Sequence, residues 1–218
     1  MLWIIAVAAL CLLVCLPFFM YYKHTLRLHL AASYKTLGTL CAAVLALTAA
    51  LRLNPHCWIC FAALLLHAAA DWFLEFNLYL GAGLFIAGHI CYISLFKKAY
   101  YGLKPGQWGF AMGSMIIFVV VLVLIIGIKG AMLAPMCIYG SALAFLIFCG
   151  VAGVLRKLGP AWTFILIGAV LFTFSDANIA MDTFGKSYPG QPFVIMLTYL
   201  AAQALLAIGS IKLIKADD

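Results

Sequence analysis

Long apolar runs occupy almost the whole chain and are separated by short polar breaks. Eight runs approach the ~20 residues that a helix needs to cross a bilayer. They cover 2–22, 36–53, 56–75, 78–96, 109–128, 131–155, 160–183 and 192–213. Only helices or closed barrels satisfy the backbone in lipid, and runs of this length favour helices. The pattern therefore predicts an all-α polytopic membrane helix bundle with eight transmembrane helices, forming a single domain over 1–218.

Composition strengthens this prediction and excludes several classes of protein. The chain is 68% hydrophobic and 9% charged, whereas a soluble domain has about 45–50% apolar and ~25% charged residues. The net charge of +7 comes from basic residues that lie mostly between the apolar runs, where they orient helices and meet anionic lipid. We therefore expect membrane lipids as partners and no nucleic acid.

The basic residues also predict the orientation of the bundle. An even number of spans puts both termini on one side, which collects eight of the Lys and Arg residues. The other side collects five, namely Lys23, Arg27, Lys35, Lys129 and Lys186. Positive charge favours the cytoplasmic side, so both termini are expected there. The expected location is a bacterial plasma membrane, or the endoplasmic reticulum membrane of a eukaryotic cell.

Two aspartates interrupt the apolar pattern. Asp71 follows LLLHAAA, and Asp176 lies within AVLFTFSDANIAM. An ionisable group at membrane depth is costly and indicates a functional site. A desolvated carboxyl group also holds its proton more tightly, which is the property that a general acid needs. We therefore predict that both aspartates are catalytic; an interfacial polar stripe is the alternative, and it suits Glu75 better than Asp71.

Other polar side chains lie at or near the depth of the two acids. At 1.5 Å per residue, Asp71 is ~6 Å and Asp176 ~11 Å from the same membrane face. Candidate substrate-binding residues within this layer are His89, Tyr92, Ser175, Tyr199 and Gln203. Candidates at its rim are Lys35, Trp72 and Glu75. The sequence thus predicts one polar layer around two acids, whichever side of the membrane faces outward.

A metal site is the rival chemistry for these residues. His67, Asp71 and Glu75 share a helical face at i, i+4, i+8 spacing, and with His89 and Asp176 they could form a His/carboxylate zinc site. No HxxxH or HExxH spacing supports it, so we expect no metal and no cofactor. Cys57-x-x-Cys60 is not accompanied by a second CxxC motif, and is interpreted as packing.

Short segments of the chain resemble the YhhN family of small polytopic proteins, which includes the lysoplasmalogenases. AAADWFLEFNLYLGAGLFIAGHICYISLF resembles the family's Gly-Asp segment and the Gly-His-x-x-Tyr helix that follows it. FSDANIAM resembles its Ser-Asp segment, TYLAAQALLAIG its final helix, and Lys35 in SYKTLG a Lys-Pro pair that opens the second span. Two positions depart from the family pattern: Ala70 replaces a glycine and Thr36 replaces the proline.

The resemblance implies a lysophospholipid substrate, a lysoplasmalogen, whose vinyl ether bond is hydrolysed to a fatty aldehyde and a glycerophospho-base. Enol ether cleavage begins with protonation of the β-carbon, and water then adds to the resulting oxocarbenium ion. An acid and a negative stabiliser are needed, and two carboxyl groups supply them. Lys35 is the expected phosphate partner, and Glu75 and Trp72 are expected to meet the amine.

A transporter or channel with the acids as an ion or proton relay, or a membrane protein without activity, is the alternative.

Overall fold

The computed structural model describes residues 11–216, apart from the side chain of Leu12, and this part of the chain is helical, without a β-strand. A π-helical turn at Cys11–Cys15 leads into the first α-helix. The α-helices are α1 (Leu16–His24), α2 (Leu28–Arg52), α3 (Cys57–Leu74), α4 (Leu78–Leu95), the short α5 (Lys97–Tyr100), α6 (Pro105–Ile126), α7 (Leu133–Leu155), α8 (Ala161–Thr183) and α9 (Gln191–Ala216). Seven of these, all except α1 and α5, are long and apolar enough to cross a membrane. The predicted class, an all-α polytopic bundle, is confirmed.

The predicted first span, 2–22, falls only partly within the described residues. Its described portion comprises the π-helical turn and α1, which packs against α2 and α9. The predicted total of eight spans therefore depends on residues 1–10, which lie outside the described part of the chain.

The second long helix begins earlier than the hydropathy pattern predicted. The span was expected to open at 36, but α2 begins at Leu28. Its early turns hold two polar side chains: the half-buried Ser33 hydroxyl donates to the His29 carbonyl of the same helix at 2.8 Å, and Lys35 is buried, at 3% exposed. The prediction that Lys35 opens the second span was therefore wrong, because this residue lies two turns inside the helix.

Close packing of α8 against α9, and of α3 against α2 and α4, brings the polar layer together. The α8–α9 pair has the most extensive contact, and α9 also contacts α2 and α3. A Cβ atom at Gly209 would lie 3.1 Å from the backbone nitrogen of Ile165, so glycine permits the close approach of α8 and α9. The shared core is rich in buried aromatic residues, including Phe85, Phe172 and Tyr199.

Candidate active site

Asp71 is fully buried in the last turn of α3 and is surrounded by donors. Its Oδ2 accepts hydrogen bonds from the hydroxyl groups of Thr39, at 2.5 Å, and Tyr199, at 2.8 Å. Its Oδ1 lies 3.2 Å from Nζ of Lys35. Two hydroxyl groups and an ammonium group thus offset the cost of burying this charge.

A row of buried polar side chains leads from Asp71 into the bundle. Nε2 of Gln203 donates to the Tyr199 hydroxyl at 2.6 Å. The Gln203 amide also contacts Nδ1 of His67, at 3.1 Å from Nε2 and 3.2 Å from Oε1. The His67 ring meets His89 edge-on, with 4.8 Å between the ring centroids. Helices α3, α4 and α9 therefore contribute to one continuous row.

Gly88 on α4 provides the space that the His67 ring occupies. A Cβ atom at this glycine would lie 2.3 Å from Cδ2 and 2.4 Å from Nε2 of His67. Within the described residues, Nε2 of His67 and both ring nitrogens of His89 have no hydrogen-bond partner. The Gly-His pair of α4 therefore supplies both a gap for one histidine and a second histidine beside it.

Asp176 on α8 occupies a different environment. Its Oδ2 accepts a hydrogen bond from the Tyr139 hydroxyl of α7, and its Oδ1 has no hydrogen-bond partner in the described part of the chain. Phe85 contacts the tyrosine partners of both acids, with its ring centroid 6.5 Å from that of Tyr139 and 6.2 Å from that of Tyr199. Asp176 lines two mainly apolar clefts, one of about 50 Å³ that includes Phe85 and one of about 30 Å³ between α6, α7 and α8.

A polar cavity of about 320 Å³ lies at the end of α3. Its charged lining residues are Lys23, Lys35, Glu75 and Asp182. Four residues line both this cavity and the 50 Å³ cleft beside Asp176, namely Leu74, Leu78, Ile179 and Thr183. The polar cavity and the apolar cleft are therefore adjacent and share a wall.

The structure places four residues predicted from the sequence in one connected group: Lys35, Asp71, Tyr199 and Gln203. His89 joins them through His67, and Glu75 lines the polar cavity. Asp71 is thus linked to much of the predicted polar layer, whereas the hydrogen-bond partner of Asp176 is Tyr139, which was not predicted.

Three predicted binding residues have other surroundings. The Ser175 hydroxyl donates to the Ile195 carbonyl at 3.1 Å, which ties α8 to α9. Tyr92 is fully buried, with its ring centroid 5.7 Å from that of His67. Trp72 is 39% exposed and does not line the polar cavity formed by the described residues. Among the described contacts, none of these three side chains touches Asp71.

Sequence reasoning missed two residues that contact the acids. Thr39 lies four residues after Lys35 on α2, so helical periodicity could have placed it on the same face. Tyr139 is an isolated tyrosine in an apolar run, and no sequence signal pairs it with Asp176. Lys23 entered only the count of basic residues, although it lines the polar cavity.

In the part of the chain that the structure describes, no set of side chains is arranged to bind zinc. No three His, Cys, Asp or Glu side chains converge there as metal ligands. His67 and His89 are neighbours, but Asp71 is engaged by hydroxyl groups and by Lys35. Cys57 and Cys60 are both buried among packing residues.

The sequence profile of the YhhN family matches residues 30–210, which is most of the chain. The chain belongs to the YhhN family. This assignment confirms the resemblance carried by the short segments. The matched region of this YhhN protein includes both buried aspartates, the Gly88-His89 pair and the Tyr199–Gln203 contact.

Curated relatives of this YhhN protein are named lysoplasmalogenases. It is 30% identical over 162 residues to lysoplasmalogenase TMEM86B of Mus musculus, covering 71% of this chain and 64% of the mouse protein. It is 30% identical over 133 residues to TMEM86B of Homo sapiens, covering 61% of this chain and 53% of the human protein. It is 28% identical over 170 residues to lysoplasmalogenase TMEM86A of Bos taurus, covering 73% and 68%. The match thus spans less than two thirds of the mouse and human proteins. No solved structure matches this chain.

Proposed function

We propose that this YhhN protein is a lysoplasmalogenase-like hydrolase that cleaves the vinyl ether bond of a lysophospholipid. The observation that carries the proposal is the pairing of two buried carboxyl groups in unlike surroundings. Asp71 accepts two hydrogen bonds on one oxygen and faces the Lys35 ammonium group with the other. Asp176 accepts one hydrogen bond, and its other oxygen has no hydrogen-bond partner in the described part of the chain. Two carboxyl groups whose environments differ can divide the roles of acid and stabiliser. The lysoplasmalogenase names of the curated relatives support the same activity.

In this proposal Asp176 is the proton donor. Tyr139 donates to Oδ2, so a proton on Oδ1 would be free to leave. The acid lines apolar clefts, where a vinyl ether and its hydrocarbon chain are compatible with the lining. Transfer of this proton to the β-carbon of the vinyl ether converts the substrate to an oxocarbenium ion and leaves Asp176 as a carboxylate.

Asp71 stabilises that cation. Its carboxylate is held by Lys35, Thr39 and Tyr199, so its position is fixed before the reaction begins. Preorganised charge of this kind costs no reorganisation when the transition state forms. The carboxyl groups of the two aspartates are expected to lie about 5–9 Å apart, the range of two-carboxylate hydrolases. An experimental structure with a substrate analogue would measure this distance.

Water completes the reaction. It adds to the oxocarbenium carbon and gives up a proton to the Asp176 carboxylate, which restores the acid. The resulting hemiacetal loses its hydroxyl proton as its carbon–oxygen bond to glycerol breaks. The glycerol oxygen takes up a proton, and the products are a fatty aldehyde and a glycerophospho-base. The net reaction consumes one water molecule and no net proton.

The clefts beside Asp176 are small for a lipid. The larger has a volume of about 50 Å³, well below the roughly 300–1,000 Å³ of small-molecule sites. Binding of a hydrocarbon chain therefore requires the side chains around this cleft to separate. The wall that it shares with the polar cavity, including Leu74 and Leu78, is the part that has to open to join the two spaces.

A transporter or channel is the second candidate, and the row from Asp71 to His89 is the observation that favours it. Chains of intramembrane acids and histidines serve as proton relays. Among the described residues, however, the row ends at His89, whose ring nitrogens have no hydrogen-bond partner. We therefore favour hydrolysis.

The finer architecture is also a proposal. We infer a single domain of eight spans with both termini on the cytoplasmic side, in a bacterial plasma membrane or the endoplasmic reticulum membrane of a eukaryotic cell. Burial of Lys35 removes one basic residue from the rim of the opposite side, which increases the charge bias that supports this orientation. Cysteine-accessibility labelling of the two termini tests it, and labelling from opposite faces contradicts it.

The activity is tested by adding the purified protein, in detergent, to a vinyl ether lysophospholipid. We expect release of a fatty aldehyde from this substrate and none from a saturated ether lysolipid with the same head. Absence of aldehyde, combined with proton flux in reconstituted liposomes, would instead support the transporter.

A further inference from the structure

The Lys23–Glu75 ion pair forms part of the lining of the polar cavity. Nζ of Lys23 donates to both carboxylate oxygens of Glu75, at 2.9 and 3.1 Å. The side chains are 29% and 14% exposed, respectively, so solvent reaches the pair. Lys23 belongs to the last turn of α1, and Glu75 directly follows α3. Both residues line the cavity.

The other lysine of this cavity has a different role. Lys35 is buried and lies 3.2 Å from the carboxylate of Asp71, so a phosphate bound to it would compete with a buried counterion. Breaking a buried ion pair is costly because it leaves one charge uncompensated. Lys23 is the cavity lysine whose partner is also reached by solvent, and water offsets part of the cost of separating such a pair. Exchange of its partner is therefore much easier.

The cavity also has the size and the neighbour that an amphipathic ligand requires. Its volume of about 320 Å³ falls within the roughly 300–1,000 Å³ of small-molecule sites. Its apolar wall is shared with the cleft beside Asp176. A lipid with its head in the cavity would thus direct its first chain atoms towards that acid.

We propose that Lys23 and Glu75 form a subsite for a zwitterionic phospho-amine head, in which Lys23 binds the phosphate and Glu75 binds the ammonium group. This inference rests on the proposed function and assigns the residues that hold the substrate head. The two ends of such a head replace the two ends of the ion pair, so each protein charge keeps an opposite partner. A head with phosphate alone would satisfy Lys23 but leave Glu75 unpaired, and an uncharged head would satisfy neither. Unpaired groups of this kind are how a site rejects the wrong ligand.

Binding of uncleavable lipids tests the subsite without requiring turnover. Three saturated ether lysolipids with the same chain are used, with a phosphoethanolamine head, a phosphate head and a free glycerol head. Affinities are measured by microscale thermophoresis in a maltoside detergent, which carries no phosphate. The variants are Lys23→Gln, Glu75→Gln and the reversed pair Lys23→Glu with Glu75→Lys. Lys129→Gln, an exposed lysine predicted to lie on the same side, is the matched control.

We expect Lys23→Gln to weaken binding of both phosphate-bearing lipids by about tenfold or more, the scale of a lost charge-assisted hydrogen bond. Glu75→Gln should weaken only the phosphoethanolamine lipid. Binding of the glycerol lipid should change little in either variant, and Lys129→Gln should match the unmodified protein. The reversed pair should regain the thermal stability of the original pair without regaining affinity, because its charges are in the wrong order.

Several results would overturn the inference. The inference would fail if Lys23→Gln and Glu75→Gln weakened binding of all three lipids equally, or if the reversed pair recovered affinity. Lys23 and Glu75 would then only hold α1 and α3 together. If soluble glycerophosphoethanolamine bound as tightly as the lipid, the ligand of this subsite would be a soluble phosphate ester and not a lipid head. Aldehyde release with affinities independent of both residues would leave hydrolysis standing and remove the subsite. If the affinities changed as expected but the protein released no aldehyde from a vinyl ether lysophospholipid, the subsite would be supported and the proposed hydrolysis would be contradicted.

Discussion

Nζ of Lys35 lies 3.2 Å from Oδ1 of Asp71, and the two side chains are 3% and 0% exposed. The same ammonium group lies 4.7 Å from the centre of the Tyr199 ring, and the Tyr199 hydroxyl donates to the other oxygen of Asp71. Lys35 is therefore held on two sides within the protein. Its ammonium group therefore points into the protein and not towards lipid headgroups, and its ion-pair partner is Asp71.

Replacement of Lys35 by Met should lower kcat by at least about tenfold and change KM less, because the residue positions and neutralises Asp71 without holding the head. A loss of transition-state stabilisation alone lowers kcat and kcat/KM equally. Steady-state kinetics on a vinyl ether lysophospholipid measure the two constants. A raised KM with unchanged kcat would return Lys35 to the role of phosphate partner that its sequence position predicted.

Asp71→Asn and Asp176→Asn should each reduce turnover by at least ~10², the scale of general acid–base catalysis. The amide is isosteric with the carboxyl group, so both variants should insert and fold. Asp71→Asn also leaves the buried Lys35 without its counterion, so its apparent Tm should fall more than that of Asp176→Asn. Aldehyde release under single-turnover conditions gives the rate, and thermal unfolding in detergent checks the fold. A variant that turns over near the original rate would make its aspartate a structural residue.

Tyr199→Phe removes the hydroxyl that joins Asp71 to Gln203. We expect kcat to fall by roughly tenfold, the equivalent of one hydrogen bond to a charged group. The control is Tyr79→Phe, because Tyr79 is 57% exposed at the start of α4. An equal effect of the two substitutions on kcat would argue that the Tyr199 hydroxyl has no part in the reaction.

Gly88→Ala should disturb the row of polar side chains because its Cβ would lie 2.3 Å from the His67 ring. Overpacking of this kind costs about 1–3 kcal/mol, and displacement of His67 would also disrupt its contact with Gln203. The control lies on the same helix: a Cβ at Gly83 would meet nothing within 4 Å. We expect a lower apparent Tm and lower activity for Gly88→Ala only. Identical behaviour of the two variants would show that the His67 ring can move aside without consequence.

The helices could be predicted from the sequence because their cause is local. A backbone in lipid has to satisfy its own polar groups, so each long apolar run becomes a helix wherever its neighbours lie. Depth follows from the same rule, since each residue adds 1.5 Å. That is why Asp71, Tyr199 and Gln203 could be assigned to one layer before their contacts were known. The start of α2 was misplaced because hydropathy registers Ser33 and Lys35 as breaks. In the helix, however, the Ser33 hydroxyl bonds to the His29 carbonyl and the buried Lys35 pairs with Asp71.

Only the tertiary structure decided which side chains meet within the layer. Rotation of a helix about its axis determines its partners, and helices that are apolar on most faces carry little sequence signal for that rotation. Thr39 and Tyr139 acquired their roles through this packing, as did the association of Lys23 with Glu75 across 52 positions of the chain. The sequence by itself determined the all-helical class and the family; packing of the helices against one another determined the partners of each acid.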